Sequence, residues 1–394
     1  MFDDRPDVVI VAAGLQRMTA AEIDTVPSAA TGVVTVDLDA VAANWRALAQ
    51  FVAPAECGAV VKANAYGLGA ARVIPTLRRA GCRTFFVATA NEGAEARALA
   101  PDAAIFALDG LLPGALEVLV ANTVYPVLGS IAEVRDAAAF AKSSQRPIRV
   151  ALHLDSGLNR LGLSLADVRD VISGPGRLHG IDVQLVMSHL ACADEPDHPK
   201  NATQRKAFDA IRALLPATRA SLAASDGLML GKAFHYGLVR PGYALYGGQA
   251  FMGAATPVVP VISVHARILQ IRDVEAAETV GYAAAWTAQR DSKIAIVAAG
   301  YADGFQRAAT IPGPRMVKIN GSLAPVIGRV SMDLIAVDVT DLPTPPQRGG
   351  FAMLVGEGLP IERAAAESGT IGYEVLTSLS NRFHRVYREA SSHG

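Results

Sequence analysis

Several polar residues stand where short apolar runs stop, and their types could do chemistry together. Lys62 closes Ala59-Val60-Val61, His153 and Asp155 end the run from Ile148, and His189 follows Val186-Met187-Ser188. Ser225 follows Ala220–Ala224, and Arg240 closes Leu238-Val239. Taken singly, each has an ordinary reading, a lysine snorkelling from a strand end or a histidine satisfied in a core. Brought to one rim they would do more. Cationic groups, a serine-bearing loop and the glycine of Arg240-Pro241-Gly242 would make a pocket for an anion, beside an amine able to act as a nucleophile.

Something must carry those ends to one rim. From about residue 57 to 247 apolar runs alternate with segments of helical periodicity, the pattern of repeated β-α units. There are eight runs: Ala59–Lys62, Phe85–Thr89, Ile105–Leu108, Val124–Leu128, Ile148–Asp155, Leu185–His189, Ala220–Ala224 and Leu238–Arg240. Between them Ala70–Ala80, Asn91–Ala100, Pro113–Ala121, Ile131–Lys142 and Gln204–Leu215 are rich in good helix formers. An α/β fold with an N-terminal (β/α)8 TIM-type barrel over residues 31–255 is expected, with its site at the C-terminal ends of the strands. A doubly wound open sheet is the competing architecture, and the Gly-x-Gly-x-x-Gly loop it uses is absent after the first strand.

The character changes after Gly247, where Gly253, Pro257 and Pro260 read as a linker. Ile262, Val264, Ala266 and Ile268 then alternate with polar residues as in a half-buried strand, and Lys318–Gly321 carries an Asn-Gly hairpin turn. A mostly β C-terminal domain over residues 256–394 is expected. Residues 1–30 read as an extension whose apolar stretch, Val8–Leu15, follows acidic residues and ends at Arg17, unlike a signal peptide or membrane span. Acidic and basic residues nearly cancel, 37 against 36, which favours a small-molecule partner over a nucleic acid or a membrane. The three cysteines form no Cys-x-x-Cys pair and have no histidine at ligand spacing, so a cytoplasmic location and no metal site are expected.

Against this background Ala59-Val-Val-Lys-Ala-Asn-Ala-Tyr-Gly67 resembles the cofactor-lysine motif of alanine racemases, a group of fold-type III pyridoxal-phosphate enzymes. The resemblance continues in order through Asp155–Gly162, Ser188–Ala191, Val239–Gly247, Gly300–Gly304, Gly328–Asp333 and Tyr373-Glu374, from about residue 31 to the C-terminus. It implies pyridoxal 5'-phosphate as cofactor, alanine as substrate, and a head-to-tail homodimer in which each site borrows residues from the partner's second domain.

The resemblance also implies roles. Lys62 would hold the cofactor as an imine and serve as base on one face of the substrate, with Tyr282 on the other. His189, linked to Arg240, would tune Tyr282, because a phenol titrating near 10 is a poor base at neutral pH. Arg240 would face the pyridine nitrogen, which must then accept a hydrogen bond and stay unprotonated. Tyr66, Ser225, Gly242, Tyr243 and Tyr373 would hold the phosphate. Arg160 and the Met332 N–H would take the substrate carboxylate, and Tyr301 would narrow the entrance.

Two positions depart from the family pattern. Many members carry a carbamylated lysine seven residues before the loop arginine, where this chain has His153, which would position Arg160 as a neutral partner or share the site with an anion. Leu68 stands where the family often has histidine, a change expected to alter packing near the cofactor. The competing functions are a racemase of broader specificity, acting on serine or longer amino acids, a related decarboxylase, and a non-catalytic pyridoxal-phosphate carrier. The residues leave open whether D-alanine is supplied for the cell wall or consumed.

Overall fold

The computed structural model describes residues 26–174, 178–249, 257–309 and 315–389. Nearly all of the expected N-terminal extension, including Val8–Leu15, lies outside the described residues, as do Gly253 and the expected boundary between residues 255 and 256. The chain forms two compact units, one built on Val41–Leu245 and the other on the described residues before Val41 together with those from Val259 onward.

In the first unit seven strands pair in parallel and in chain order: Ala59–Val60, Thr84–Val87, Ala104–Ala107, Tyr125–Leu128, Ile148–His153, Ile181–Met187 and Ala220–Ser221. The eighth, Leu238–Val239, closes the ring. The Arg240 N–H donates to the Ala223 carbonyl on one side, and the Gly58 and Val60 N–H groups donate to Val239 and Pro241 on the other. All eight predicted runs are strands of this barrel, and the predicted helices lie between them, among them Ala70–Ala80, Ala90–Leu99 and Ile131–Ser144.

Local chemistry starts several of these helices. Thr89 with Glu92, Ser130 with Glu133 and Ser164 with Asp167 form capping boxes, each side chain accepting the other's backbone N–H, so orphan donors of the first turn are satisfied. Aromatic rings pack within the barrel. Phe86 stacks on Phe106 at 5.2 Å between ring centres, and Tyr125 meets Phe106 edge-on at 5.3 Å.

The second unit is a sheet rolled into a ring. Ser292–Val297, Ile335–Asp338, Ser322–Ile327, Met316–Ile319, Phe351–Val355 and Ile262–Val274 pair antiparallel in that order, and the long last strand returns to pair with the first. The predicted hairpin turns at Asn320-Gly321, both with positive φ, the combination a two-residue turn of this hand requires. Two expectations are revised. The strand from Ile262 is buried on both faces in its first half, Ser263 and His265 included, and Phe351 lies against His265 and Arg267 on the side expected to meet solvent. Gly32–Asp37, expected to open the barrel domain, instead pairs antiparallel with Ile262–Ala266 and parallel with His384–Arg388, since its apolar run completes this second sheet. The chain therefore visits the second unit before it builds the first.

Phe106 is fully buried between two aromatic rings. Phe106→Ala is expected to cost about 3–5 kcal/mol of stability, through lost transfer energy and the cavity left behind. Comparison of urea unfolding midpoints with the parent protein checks this, and an unchanged midpoint would contradict the barrel packing.

Candidate active site

The chain leaves the first barrel strand at Val61, and Lys62 opens a short turn of unusual hand. Ala63, Asn64, Ala65 and Tyr66 all have φ between 52° and 55°. Left-handed turns cost L-residues roughly 1–2 kcal/mol each, so four in succession persist only where their surroundings hold them. The holding groups are identifiable. The Ala63 N–H donates to Glu92 Oε1 at 2.7 Å, while Glu92 Oε2 accepts from Ala88 N–H at 2.7 Å. Asn64 Oδ1 accepts from Ala70 N–H at 2.8 Å, so the turn also caps the next helix. Leu68 is fully buried just beyond, in keeping with a packing role.

Tyr66 ends the turn buried against Gly242. A Cβ on Gly242 would fall 2.2 Å from the Tyr66 hydroxyl, an overlap that a side chain leaving a constrained turn cannot relieve cheaply. Ser225 lies alongside, its Oγ accepting from the N–H groups of Gly242 at 3.0 Å and Ala244 at 3.1 Å. Gly242 therefore gives this cradle room, while its amide serves Ser225. Burial pushes the Tyr66 hydroxyl well above its ordinary range and keeps it a neutral donor. Hydroxyls from Tyr66 and Ser225, with the backbone from Gly242 to Tyr243, suit a phosphate group, and Lys62 supplies an amine from the same strand end for an aldehyde carbon. The residues present thus fit pyridoxal phosphate.

Arg240 is only 3% exposed. Its guanidinium donates to Ser221 Oγ at 2.5 Å and to the carbonyls of Ser188 at 2.6 Å and Leu222 at 3.4 Å, and it lies 5.9 Å from the centre of the Phe86 ring. Burial lowers it to about 9, so it stays charged at neutral pH. The histidines respond. Burial, then the charges of Arg240 and Arg160, bring His153 down to about 4 despite Asp155, and the same influences with His153 and Lys62 bring His189 to about 3. Both are neutral near pH 7. Arg240 hydrogen bonds to the carbonyl of Ser188, the residue before His189, and its charge reaches the His189 ring. Arg160 is exposed, on a loop gathered by Asp155 Oδ1, which accepts the N–H groups of Gly157, Leu158 and Asn159 at 2.9–3.1 Å.

The other four candidates belong to the second unit. Tyr282 is 70% exposed at the tip of the hairpin formed by Thr279–Val280 and Trp286–Thr287. Tyr301 and Met332 are exposed on two loops laced together, with Tyr301 N–H donating to Ser331 and Ala302 N–H to Met332. Arg382 pins both loops, at 3.3 Å from Asp303 and 2.7 Å from Asp333. Tyr373 is half-buried in the helix Gly372–Ser378. The first unit thus brings together Lys62, Tyr66, His153, Arg160, His189, Ser225, Arg240, Gly242 and Tyr243, while Tyr282, Tyr301, Met332 and Tyr373 stand on the second.

Supporting residues escaped sequence reasoning, although their signals were present. Glu92 is the last residue of the capping signature Thr-x-x-Glu directly after a strand. Gln204 is a polar residue on a buried helix stripe that continues through the apolar Phe208 and Ile211.

A parallel barrel with an amine at one strand end and a phosphate cradle at another, followed in sequence by a β domain, defines the fold-type III class of pyridoxal-phosphate enzymes. The chain matches "Alanine racemase, N-terminal domain" over residues 36–250 and "Alanine racemase, C-terminal domain" over residues 261–387. It is 47% identical over 355 residues to an alanine racemase of Acidiphilium cryptum (strain JF-5), covering 90% of this chain and 98% of the relative. With an alanine racemase of Methylobacterium sp. (strain 4-46) it shares 45% over 355 residues, 90% of this chain and 97% of the other. The crystal structure of alanine racemase from Bartonella henselae with covalently bound pyridoxal phosphate superposes with a TM-score of 0.88 at 39% identity, covering 91% of this chain and 100% of that one. The chain belongs to the alanine racemase family.

Because Gly242 gives Tyr66 its room, Gly242→Ala is expected to fold but to hold pyridoxal phosphate about tenfold more weakly, near 1.4 kcal/mol. Equilibrium dialysis measures the change. An unaltered affinity would show that the Tyr66–Gly242 contact does not shape the cradle.

Proposed function

We propose that this protein interconverts L-alanine and D-alanine with pyridoxal phosphate, acting as a head-to-tail homodimer in the cytoplasm. The observation that carries the reading is Lys62 at the exit of the first strand of a barrel that also holds the Tyr66–Ser225–Gly242 cradle. Among the described residues no helix is long and apolar enough to cross a membrane.

Bound pyridoxal phosphate supplies a conjugated system that takes up the electron pair left at the α-carbon when its proton departs. Lys62 holds the cofactor through its amine and exchanges the proton on one face of that carbon. The Tyr282 oxygen does so on the other face, reaching the site from the partner subunit. Arg160 and the Met332 N–H orient the substrate carboxylate, and Tyr301 narrows the entrance. Tyr66, Ser225, Gly242, Tyr243 and Tyr373 hold the phosphate.

Arg240 would face the pyridine nitrogen of the bound cofactor. Its three described bonds engage three of the five N–H groups of a guanidinium, which leaves donors for the ring. A cation that can only donate would keep that nitrogen unprotonated and so would favour racemisation over side reactions. Neutral His189 is available to accept a hydrogen bond in tuning Tyr282.

A D/L exchange assay over a panel of amino acids tests the reading, with alanine expected to be the preferred substrate and no exchange of any amino acid overturning it. Lys62→Ala is expected to abolish the borohydride-reducible chromophore and nearly all activity, whereas a covalent adduct persisting at another lysine would reject the assignment. The shared site has its own test. Lys62→Ala and Tyr282→Ala subunits, co-expressed and isolated as a heterodimer with two tags, are expected to regain up to half the activity of the parent dimer, since one of the two sites then has both bases. A heterodimer as inactive as either homodimeric variant would refute the sharing.

A further inference from the structure

The helix Pro199–Arg212 carries no residue of the site, yet one of its side chains holds two site loops at once. Its buried stripe runs Asn201, Gln204, Phe208, Ile211. Gln204 is 1% exposed, and a buried amide is costly unless its hydrogen bonds are made. Here they are made. Oε1 accepts from the Ala191 N–H at 2.8 Å, and Nε2 donates to the His189 carbonyl at 3.1 Å and to Ser156 Oγ at 3.4 Å. Gln204 thus grips the backbone on both sides of Leu190 and reaches across to the loop that bears Arg160.

The links extend in both directions from that amide. Ser156 Oγ lies 2.8 Å from Ser188 Oγ, and the Ser188 carbonyl is the one that Arg240 binds at 2.6 Å. Ser156 itself follows Asp155, whose carboxylate gathers the next three N–H groups of the Arg160 loop. The partners of Gln204 itself are backbone groups and a short hydroxyl, so movement at one point is transmitted to the others. A leucine at position 204 would continue the apolar stripe, but it could not join the loops.

We propose that Gln204 is a positioning residue for racemisation, coupling the loop that presents Arg160 to the substrate carboxylate with the segment that presents His189. The inference rests on the racemase reading above. Ser156 is its relay to the Arg160 loop, so losing Ser156 loosens that loop while the Gln204 bonds to the His189 and Ala191 backbone still hold the other segment, whereas losing Gln204 loosens both.

The test uses the dimeric holoenzyme and steady-state kinetics with alanine, normalised to bound cofactor. Ser156→Ala is expected to raise KM about fivefold with kcat within twofold, and Gln204→Leu to raise KM about tenfold and lower kcat about tenfold. The double variant should have a KM no worse than Gln204→Leu alone, because both substitutions cut the same link. Gln204→Leu with KM and kcat within twofold of the parent, or strictly additive effects in the double variant, would overturn the inference. So would a loss explained entirely by less folded holoenzyme, with kcat and KM per cofactor unchanged. Should Gln204→Leu fail to fold, Ser156→Ala decides through KM, and an unchanged value overturns the coupling. An inactive parent enzyme would refute the racemase reading and this inference with it, whereas an active parent beside an indifferent Gln204→Leu refutes this inference alone.

Discussion

Arg240 carries a full charge at 3% exposure within a ring of parallel strands, and a buried charge is tolerated only where its hydrogens are bonded. Its partners come from the ends of the sixth and seventh strands, and the Phe86 ring beneath it comes from the second. Satisfying one side chain therefore fixes several strand ends together. It also sets the electrostatics of the mouth, because its charge and that of Arg160 add to burial in holding His153 and His189 neutral. Positive charge remains on Arg240, which suits a site that receives an anionic cofactor and substrate.

The neutrality of His153 bears on the family's carbamylated lysine. This chain has a neutral ring at that position and gathers the Arg160 loop through backbone bonds to Asp155. Lys62 depends on its neighbours in a similar way. The left-handed turn that presents it is secured by Glu92 from the helix Ala90–Leu99 and by the close approach of Tyr66 to Gly242.

The barrel was legible because β-α units repeat and each apolar run is short and bounded, so all eight strands and the Asn320-Gly321 hairpin follow from pattern alone. The site was legible at strand ends, where Lys62, His189 and Arg240 interrupt apolar runs, and beyond that through ordered family motifs such as Gly300–Gly304. Three features were not. The position of Gly32–Asp37 is decided by long-range pairing with a strand some 230 residues later, which no local pattern encodes. The covering of His265 depends on Phe351 from a distant strand. The bonding of Arg240 to the Ser188 carbonyl is a choice among acceptors that only three-dimensional geometry makes.

If the buried cation governs the barrel mouth, the histidines facing it must stay neutral well below the pH at which an ordinary imidazole gains its proton. Nitrogen-15 spectra of histidine-labelled protein, assigned with His153→Asn and His189→Asn, read the protonation state of each ring directly. Both rings are expected to keep neutral-imidazole signals from pH 8 down to pH 5, with midpoints near 4 for His153 and 3 for His189. A midpoint near the ordinary value of about 6.5 for either ring would contradict the claim that burial and the Arg240 charge set the chemistry of this site.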